Sequence, residues 1–353
     1  MLDGFKSART KEFEMTDLGM LRYFLGLEVR QDCNGIFLCQ KKYAMDLLKR
    51  FHMENCEAAK TPMNTNEKLQ KSDGTEKADA TLYRSMVGGL NYLTHSRPDI
   101  TLSVRIVSRY MHNPTKQHLG AVKRIMKYIS GTLEYGIQYT RVKEFNLRGY
   151  TDSDWAGCVD DRKSTSGSVF DLGSDAITWS SKKQETVALS TSEAEYVAAR
   201  AAAKQALWLR KLLTDLCCKQ EEKPEIWCDS KSAIAMAKNP TFHSRTKHID
   251  VQHHFIRQLV AEEKITLHFC GTDWQNADLF TKALNQAKHY YSMEKIGMCK
   301  HGSRGGVESD PAYVYGYSPT WHSYVGNIIF LFNVIVFICL NKSEVVSLNL
   351  GTF

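Results

Sequence analysis

The sequence predicts an α/β fold between residues 146 and 285, with a mixed five-stranded sheet flanked by helices. Three observations predict it. Short runs of β-branched and aromatic residues alternate with polar turns at the start of this region, which is typical of an antiparallel meander. The hydrophobic period then changes to three or four residues, which indicates a long helix. After that helix, strand-like and helix-like segments alternate, which favours a sheet covered by helices.

The elements follow one another in a definite order. The meander consists of runs at 147–155, 168–172 and 177–181, with Gly173 between the last two. The long helix has one mostly apolar face, made of Ala194, Ala198, Ala201, Gln205, Trp208 and Leu212. The remaining elements are a strand at 225–228, a helix at 230–238 ended by Asn239 and Pro240, a helix around 251–259, a strand at 264–270 and a helix near 277–284.

Four acidic residues lie at the ends of these strands or near the starts of these helices: Asp152, Glu195, Asp229 and Asp278. Open α/β sheets usually hold their sites at such positions. Carboxylates brought together repel one another and lose solvation, so a fold tolerates four of them mainly when a cation neutralises the group. Hard oxygen ligands favour Mg²⁺ or Mn²⁺, and two such ions can hold a phosphodiester in line with an attacking water. The pattern predicts a metal-dependent nuclease.

The local sequence does not decide which residue supplies the first carboxylate ligand or which supplies the second. Asp152 and Asp154 share a strand face because side chains alternate with period two, so either can be the ligand. Glu193 and Glu195 lie two residues apart on a helix and point in different directions. Each of them has a serine three residues earlier, so both fit a Ser-x-x-Glu capping box.

The other two carboxylates also have ordinary structural interpretations. Asp229 directly precedes Ser230, and an aspartate before a helix commonly caps its N-terminus. Asp278 can be a first-turn acid that interacts favourably with the helix dipole.

Six short motifs occur in fixed order across this region. They are Thr-Asp-Ser-Asp-Trp-Ala-Gly at 151–157, Arg-Lys-Ser-Thr-Ser-Gly at 162–167, Trp-Ser-Ser-Lys-Lys-Gln at 179–184, Leu-Ser-Thr-Ser-Glu-Ala-Glu-Tyr at 189–196, Lys-His-Ile-Asp at 247–250 and Ala-Asp-Leu-Phe-Thr-Lys at 277–282. Together they resemble the ribonuclease H domain of copia-type retrotransposon polyproteins. The resemblance implies a ribonuclease H-like sheet and two-metal endonucleolytic cleavage of the RNA strand of RNA–DNA hybrids, with Mg²⁺ ions that Mn²⁺ can replace.

The same resemblance implies roles for particular residues. It selects Asp152 rather than Asp154 and Glu195 rather than Glu193, and it makes Asp229 and Asp278 the other two catalytic metal ligands. The basic run between 241 and 257 is in general a solvated face, but beside a nuclease site phosphate contact is an equal alternative. The residues expected to contact nucleic acid are Arg245, Lys247, His248 and Lys282.

The chain before residue 146 has a different character. Residues 1–65, with Tyr-Phe-Leu-Gly-Leu-Glu-Val at 23–29, resemble the closing part of a copia-type reverse-transcriptase palm, and residues 66–145 resemble its thumb or connection segment. Polymerisation needs paired aspartates on a hairpin, and in this family that hairpin precedes the motifs found here. The pair Asp160-Asp161 lies in a polar turn of the nuclease-like region. We therefore expect no DNA polymerase activity.

Composition and charge agree with a nucleic-acid partner without requiring one. The net charge is +7 with a pI near 8.8, which suits a polyanion such as an RNA–DNA hybrid. The ten cysteines form no Cys-x-x-Cys pair, so no zinc site is expected, and free thiols in a reducing compartment fit best. The start lacks a secretory apolar core, so we expect a cytoplasmic retrotransposon particle or the nucleus. Other retrotransposon Pol subunits are further candidate partners.

The last predicted segment is an atypical, poorly ordered tail at 286–353. Its apolar run at 324–340 is short for a membrane span of about 20 residues, and Gly326, Asn327 and Asn333 interrupt it. We therefore expect read-through sequence rather than a membrane anchor. Three functional readings remain: an active hybrid nuclease, a catalytically silent remnant that still binds nucleic acid, and a membrane-tethered protein.

Overall fold

The computed structural model describes residues 23–301, apart from 25, 33–34, 66, 141–145, 174, 216–219 and 239–249. Within these residues the chain forms ten strands. They are β1 (Tyr23–Phe24), β2 (Leu27–Asp32), β3 (Gly35–Cys39), β4 (Tyr135–Thr140), β5 (Arg148–Asp154), β6 (Thr165–Asp171), β7 (Ala176–Lys183), β8 (Glu225–Cys228), β9 (Thr266–Phe269) and β10 (Met298–Lys300).

The described residues also form eight α-helices and three short 3₁₀-helices. The α-helices are α1 (Lys41–Arg50), α2 (Ala80–Leu93), α3 (Thr101–Ser108), α4 (Lys116–Ser130), α5 (Thr191–Asp215), α6 (Lys231–Lys238), α7 (Asp250–Ala261) and α8 (Gln286–Lys295). The 3₁₀-helices span Pro98–Ile100, Thr272–Trp274 and Asn276–Phe280.

The ten strands form two sheets. The N-terminal sheet is antiparallel throughout, with the order β1-β2-β3-β4-β10. The C-terminal sheet has the order β7-β6-β5-β8-β9, in which β7, β6 and β5 are antiparallel neighbours and β5, β8 and β9 are parallel. The predicted α/β class, a mixed five-stranded sheet flanked by helices, is confirmed.

Helix α5 packs on the C-terminal sheet through its alanines. Ala202, Ala203, Ala206, Leu209 and Leu213 are buried along one side of the helix. The sequence-based apolar face was therefore partly wrong, because Ala201 and Trp208 are exposed. The alanine run around 198–203 fits several helical faces equally well, since alanine contrasts weakly with its neighbours, and the single large Trp208 favoured the wrong one.

Helices α1 to α4 form a separate helical layer around an apolar core that includes Leu47, Tyr83, Leu90, Val104 and Ile125. Side chains cap two of these helices in the expected manner. The Asp79 carboxylate accepts from two backbone N–H groups at the start of α2, and Thr115 and His118 form a reciprocal capping box on α4. This layer contains α1, so it begins before residue 66. The domain divisions at 65, 145 and 285 themselves stay predictions.

One hydrophobic core joins the two sheets. It contains Ile36 and Ile137 from the N-terminal sheet together with Phe170 and Ile177 from the C-terminal sheet. The Tyr139 hydroxyl also donates to the carbonyl of Ala176 at 2.8 Å. Apolar side chains of each sheet shield those of the other sheet from water, so the stability of each sheet depends on the other.

The chain beyond residue 285 contributes to this core, which differs from the expected poorly ordered tail. Met293 in α8 and Ile296 and Met298 after it are buried, and β10 completes the edge of the N-terminal sheet beside β4. Apolar spacing is weak in α8, where two of the three buried residues, His289 and Ser292, are polar, so no periodic signal predicts this helix. The segment 324–340 lies outside the described residues. Among the helices that are described, none combines the length and apolar character that crossing a membrane requires.

A buried polar network ties the helical layer to α8. The Arg97 guanidinium donates to the Asp99 carboxylate at 2.7 Å, and the Tyr128 hydroxyl donates to the same carboxylate at 2.8 Å. The ring of His289 lies 3.1 Å from the Tyr128 hydroxyl. Because a buried charge is tolerated only when it is paired and hydrogen-bonded, this network fixes how α8 sits against the helical layer.

Candidate active site

Asp152 lies on the central strand β5 and is fully buried. The Thr281 hydroxyl donates to its Oδ2, and Lys282 Nζ lies 3.2 Å from its Oδ1. Burial raises the pKa of Asp152 to about 6, and the Asp278 charge adds to that rise while Lys282 opposes it. The carboxyl group is therefore held in a place where its charge is costly unless a cation is near.

Asp278 lies in the 3₁₀-helix Asn276–Phe280 and is also fully buried. Two lysines take up its oxygens, with Lys282 Nζ at 3.0 Å from Oδ1 and Lys288 Nζ at 2.6 Å from Oδ2. Gln275 fixes this helix, because its side-chain oxygen accepts from Ala277 N–H and its Nε2 donates to the Thr151 carbonyl on β5. The predicted helix near 277–284 is thus a short 3₁₀-helix anchored to the sheet.

Gly167 allows that 3₁₀-helix to approach the sheet closely. It lies opposite Asp152 in the β5–β6 register. A Cβ atom at this position would lie 2.6 Å from Thr281 Cγ2 and 2.9 Å from Phe280 Cβ. Only a residue without a side chain leaves room for Asp278 to reach the carboxylate on β5.

Glu195 enters the cluster from the first turns of α5. Its Oε1 accepts from Ser153 N–H at 3.1 Å, and its Oε2 is buried without a hydrogen-bond partner among the described residues. Burial, followed by the charges of Asp152 and Asp229, raises the pKa of Glu195 to about 9. An acceptor buried in this way loses the hydrogen bonds it would make to water, which is costly.

Glu193 has a separate structural role. Its carboxylate accepts from Leu189 N–H at 2.8 Å, and its own N–H donates to the Ser190 hydroxyl at 3.2 Å. The Ser190–Glu193 pairing is a capping arrangement at the start of α5. The structure thus separates the two glutamates that the sequence left open, and it directs Glu195 to the carboxylate cluster.

Asp229 follows β8 and is half-buried. Burial raises its pKa, an effect that Asp278 strengthens and Lys282 opposes. The helix-capping role that the sequence allowed for Asp229 belongs instead to Ser230, whose hydroxyl accepts from Ala233 N–H at 3.2 Å. The Asp229 carboxylate is left to face the other acids.

The acidic side chains converge as two overlapping groups. Asp152, Asp229 and Asp278 each offer an oxygen, and these atoms lie within 4.8 Å of one another. Glu195, Asp229 and Cys228 form the second group at the same spacing. Burial raises the pKa of the Cys228 thiol, so it is a poor ligand for a hard cation. Asp154 belongs to neither group, and its carboxylate packs against Gly157.

The carboxylate set fits divalent cations that prefer oxygen ligands. The donors are oxygens from four acidic side chains, and the partnerless Glu195 Oε2 is an acceptor that an ion would satisfy. Lys282 and Lys288 supply positive charge to the same carboxylates. The site therefore has oxygen ligands that suit a hard cation. The two lysines neutralise part of the negative charge of these ligands when no cation is bound.

Several neighbours of the carboxylates had no recognisable signal in the sequence. The Gln184 side chain donates to the Ala194 carbonyl and the Ser166 hydroxyl, both at 2.9 Å, and so joins α5 to β6. Lys288 was missed because it lies in the segment interpreted as a tail. Gln184 stands within a quoted motif, but a motif alone does not say which side chains hydrogen-bond. Of the residues expected to contact nucleic acid, Lys282 lies in the cluster, and Arg245, Lys247 and His248 lie outside the described residues.

Comparisons with known proteins cover both parts of the chain. A model of the family described as reverse transcriptase (RNA-dependent DNA polymerase) matches residues 1–65. The chain is 40% identical over 301 residues to the retrovirus-related Pol polyprotein from transposon RE2 of Arabidopsis thaliana, covering 85% of this chain and 21% of that protein. It is 39% identical over 302 residues to the corresponding polyprotein from transposon TNT 1-94 of Nicotiana tabacum, covering 83% of this chain and 23% of that protein.

A shorter relative is matched over most of its length. An uncharacterised mitochondrial protein of Arabidopsis thaliana is 41% identical over 197 residues, which cover 56% of this chain and 81% of that protein. Solved structures with local similarity include LC11-RNase H1 from compost, at 16% identity over 38% of this chain and 92% of that one with a TM-score of 0.30. A foamy viral protease-reverse transcriptase in complex with double-stranded DNA matches at 13% identity over 72% of this chain and 39% of that one, with a TM-score of 0.42.

The chain spans about a fifth of the length of the transposon polyproteins that it matches, 21% of the first and 23% of the other. The identity nevertheless extends over more than four fifths of this chain, 85% and 83%. The chain therefore belongs to the family of retrovirus-related Pol polyproteins of copia-type transposons.

Proposed function

We propose that the chain hydrolyses the RNA strand of RNA–DNA hybrids endonucleolytically, with Asp152, Glu195, Asp229 and Asp278 as ligands of two Mg²⁺ ions that Mn²⁺ can replace. The observation that carries the proposal is the convergence of four acids from β5, α5, the end of β8 and the 3₁₀-helix Asn276–Phe280. Four separate elements are needed to build this cluster, and burial raises the pKa of at least three of its members. Such concentration of perturbed acids is typical of catalytic sites.

Each group in the cluster has a definite task under this proposal. Bound metal ions would supply an activated water and stabilise the departing 3′-oxygen. Asp152 and Glu195 hold fixed positions because Thr281 and Ser153 N–H donate to them. Lys282 and Lys288, which neutralise the carboxylates here, would turn to the substrate phosphates once cations replace them. Partner subunits of a Pol assembly remain part of the proposal.

Binding without cleavage is a second candidate function, and one observation favours it. Lys282 and Lys288 already compensate Asp152 and Asp278, so the cluster has charge neutralisation of its own. If those pairs are stronger than the attraction of the carboxylates for a cation, the cluster is structural. The chain would then contact nucleic acid through its basic residues alone.

Cleavage of a labelled hybrid separates these candidates. The full chain is used, because α8, β10 and the N-terminal sheet share the core of the C-terminal sheet. A 20-base-pair hybrid with a 5′-labelled RNA strand is incubated with Mg²⁺, with Mn²⁺ or with a chelator. We expect metal-dependent cutting of the RNA strand by the wild-type protein, and a loss of at least about a hundredfold in Asp152→Asn.

The matched control is Asp215→Asn, which changes an exposed aspartate at the end of α5. It should cut at the wild-type rate. A folded wild-type protein that leaves the RNA intact with both metals would reject the nuclease. Retention of hybrid binding in that case would support the second candidate.

A further inference from the structure

A cavity of about 490 Å³ opens beside the carboxylate cluster. Its lining includes Tyr150 and Trp227 from the sheet, Trp274 from the 3₁₀-helix Thr272–Trp274, and Lys295 from the end of α8. The volume falls within the range of roughly 300–1,000 Å³ that is usual for pockets holding small ligands. The cavity has no role in the proposed chemistry, so its lining needs an explanation of its own.

The sheet places three aromatic rings in a row, and two of them, Tyr150 and Trp227, line this cavity. Tyr150 on β5 is in register with Trp227 on β8, which is in register with His268 on β9. Residues paired between parallel strands share one face of a sheet. The rings of Trp227 and His268 are stacked, with centroids 4.7 Å apart and an interplanar angle of 25°.

This aromatic row leads directly to the carboxylates. Asp152 follows Tyr150 by two residues on β5 and so lies on the same face, about 7 Å further along the strand. Asp229 comes directly after the end of β8, two residues beyond Trp227. Burial raises the pKa of the Cys270 thiol, which also lines the cavity, and the charges of Asp229 and Asp152 raise it further. A polymer strand that contacts the carboxylates can therefore also reach the aromatic row.

Two exposed aromatic rings lie beside Lys295, and one of them, Trp274, also lines the cavity. Trp274 is 63% exposed and Tyr291 is 43% exposed. Lys295 Nζ lies 4.7 Å from the centroid of the Trp274 ring and 5.3 Å from that of Tyr291. Large apolar rings on a surface are costly unless a partner covers them, and an ammonium group above them supplies positive charge at the same place.

The charged side chains at and near the cavity are of both signs. Arg148 forms an ion pair with Asp171 at 2.9 Å on one side, so those two charges compensate each other. Glu225, whose carboxylate lies 3.6 Å from His268, is half-exposed at the lower edge of the aromatic row. Lys295 Nζ lies over the exposed Trp274 ring, 4.7 Å from its centroid. Rings with a neighbouring cation suit a planar base attached to a phosphate.

We propose that this cavity binds an unpaired nucleotide of a single-stranded nucleic acid, with the base stacked on Trp274 and the aromatic row and the phosphate held by Lys295. Stacking is tolerant of sequence because every base has a π face. The binding itself requires no cleavage. Only the further consequence, that the bound strand continues into the hybrid being cut, rests on the proposed nuclease function.

The test measures binding of a fluorescein-labelled oligothymidylate 12-mer to the full chain by fluorescence anisotropy, in chelator so that no cleavage occurs. Trp274→Ala should weaken binding about tenfold, because stacking on an aromatic ring is worth on that order for each base. Lys295→Gln should weaken it about threefold and lower the salt dependence. Trp274→Phe, which retains a ring, should keep most of the affinity.

Matched controls come from α5, on the other side of the sheet. Trp208→Ala removes a tryptophan that is 41% exposed, and Lys211→Gln removes an exposed lysine. Both should bind within twofold of wild type. The proposal is overturned if Trp274→Ala binds like Trp208→Ala, if Trp274→Phe is as weak as Trp274→Ala, or if the wild-type chain does not bind the oligonucleotide.

Two further outcomes have distinct meanings. If the full chain does not bind but a chain ending at Lys300 does, the segment that begins at residue 301 prevents binding, which overturns the proposal for the intact protein. Cleavage of a blunt hybrid is measured in parallel. Cleavage without oligothymidylate binding rejects the nucleotide site alone, and binding without cleavage rejects the nuclease alone.

Discussion

Gly167 shows how one absent side chain determines whether the acids can meet. Its Cα faces the 3₁₀-helix that carries Asp278, and an added Cβ would lie 3.0 Å from the Ala277 carbonyl oxygen and closer still to Phe280 and Thr281. We expect Gly167→Ala to lower the free energy of unfolding by about 1–3 kcal/mol, since overpacking forces backbone shifts. The rate of hybrid cleavage should fall by more than the loss of folded protein accounts for, because the backbone shift also displaces Asp278.

Gly120→Ala provides the comparison for this substitution. Gly120 lies inside α4, and a Cβ there would meet nothing within 4 Å. Alanine should raise the unfolding free energy by about 0.5–1 kcal/mol at this site. Urea unfolding measures both variants. Equal stability of the two alanine variants would mean that the 3₁₀-helix is not held by close approach to Gly167.

Lys282 links the carboxylates to the choice between a metal site and a structural cluster. Its ammonium lies 3.2 Å from Asp152 and 3.0 Å from Asp278, and both of those acids are buried. Lys282→Met leaves buried charge without a partner, which costs about 3–5 kcal/mol for a fully buried pair and roughly half of that here because Lys282 is partly exposed.

Millimolar Mg²⁺ should restore most of this lost stability if the carboxylates bind cations, because an ion then replaces the missing charge. Thermal unfolding with and without Mg²⁺ measures the rescue. Lys264→Met removes an exposed lysine paired with Glu262 and should change little under either condition. A Lys282→Met protein that Mg²⁺ does not stabilise would contradict the metal site.

The sequence predicted the acidic residues of the site better than it predicted the residues around them. The motif resemblance selected Asp152 and Glu195, and the structure gives Glu193 and Ser230 the capping roles that the alternatives invoked. The sequence did not indicate the lysine and glutamine neighbours, because Lys288 lies in the segment interpreted as a tail and Gln275 acts through a contact with a residue distant in sequence. Gln275, for example, bonds to Thr151, which lies 124 positions earlier.

At the scale of elements, α8 carries a titratable group that should make stability depend on pH. Burial lowers the pKa of His289 to about 4, although the Asp99 charge opposes this. The folded protein therefore resists protonation of a group that protonates near pH 6.5 when unfolded. The cost of protonating His289 in the folded protein is absent above about pH 6.5. Between about pH 6.5 and about pH 4 it grows by up to ~1.4 kcal/mol for each unit by which the pH falls, and below about pH 4 it stays constant.

His289→Gln should remove this penalty. The difference in unfolding free energy between variant and wild type should move in favour of the variant as the pH falls from about 6.5 to about 4. Other titrating groups cancel in that difference, since both proteins contain them. His112→Gln, which changes an exposed histidine, should follow the wild-type curve. Parallel curves for His289→Gln and wild type between these pH values would contradict a neutral buried ring.

The helices also show where periodicity is informative. Helices α2 and α4 have strong apolar faces, and their buried residues recur every three or four positions. In α5 the alanines give little contrast, so the predicted face was rotated from the observed one. Helix α8 buries His289 and Ser292 as well as Met293. Polar residues that are buried through hydrogen bonds look like surface residues in a sequence, which is why α8 was interpreted as part of a tail.

At the scale of the whole molecule, the shared core predicts that the C-terminal sheet needs the chain beyond residue 285. Met293, Ile296 and Met298 are almost fully buried, and burial of such side chains contributes about 1.5–3 kcal/mol each. A chain ending at Asn285 loses all three. Because total stabilities are typically about 5–15 kcal/mol, we expect this chain to lose its cooperative unfolding transition.

A chain ending at His301 is the control, because it keeps α8 and β10. It should unfold in one transition at a midpoint close to that of the full chain. Circular dichroism during urea unfolding measures both. Cooperative unfolding of the shorter chain at the full-length midpoint would mean that the C-terminal sheet is independent of these residues. Sequence division into successive segments could not foresee this dependence, because it follows from contacts between β4 and a strand about 160 residues later.

The pairing of β10 with β4 also has a consequence for synthesis on the ribosome. A nascent chain has made four strands of the N-terminal sheet once β4 at Tyr135–Thr140 has emerged, but the fifth arrives only with Met298–Lys300. During that interval one edge of the sheet lacks its partner strand, and unpaired edges invite pairing with other chains. Translation speed and chaperone capture over this stretch should therefore affect how much protein reaches the native state.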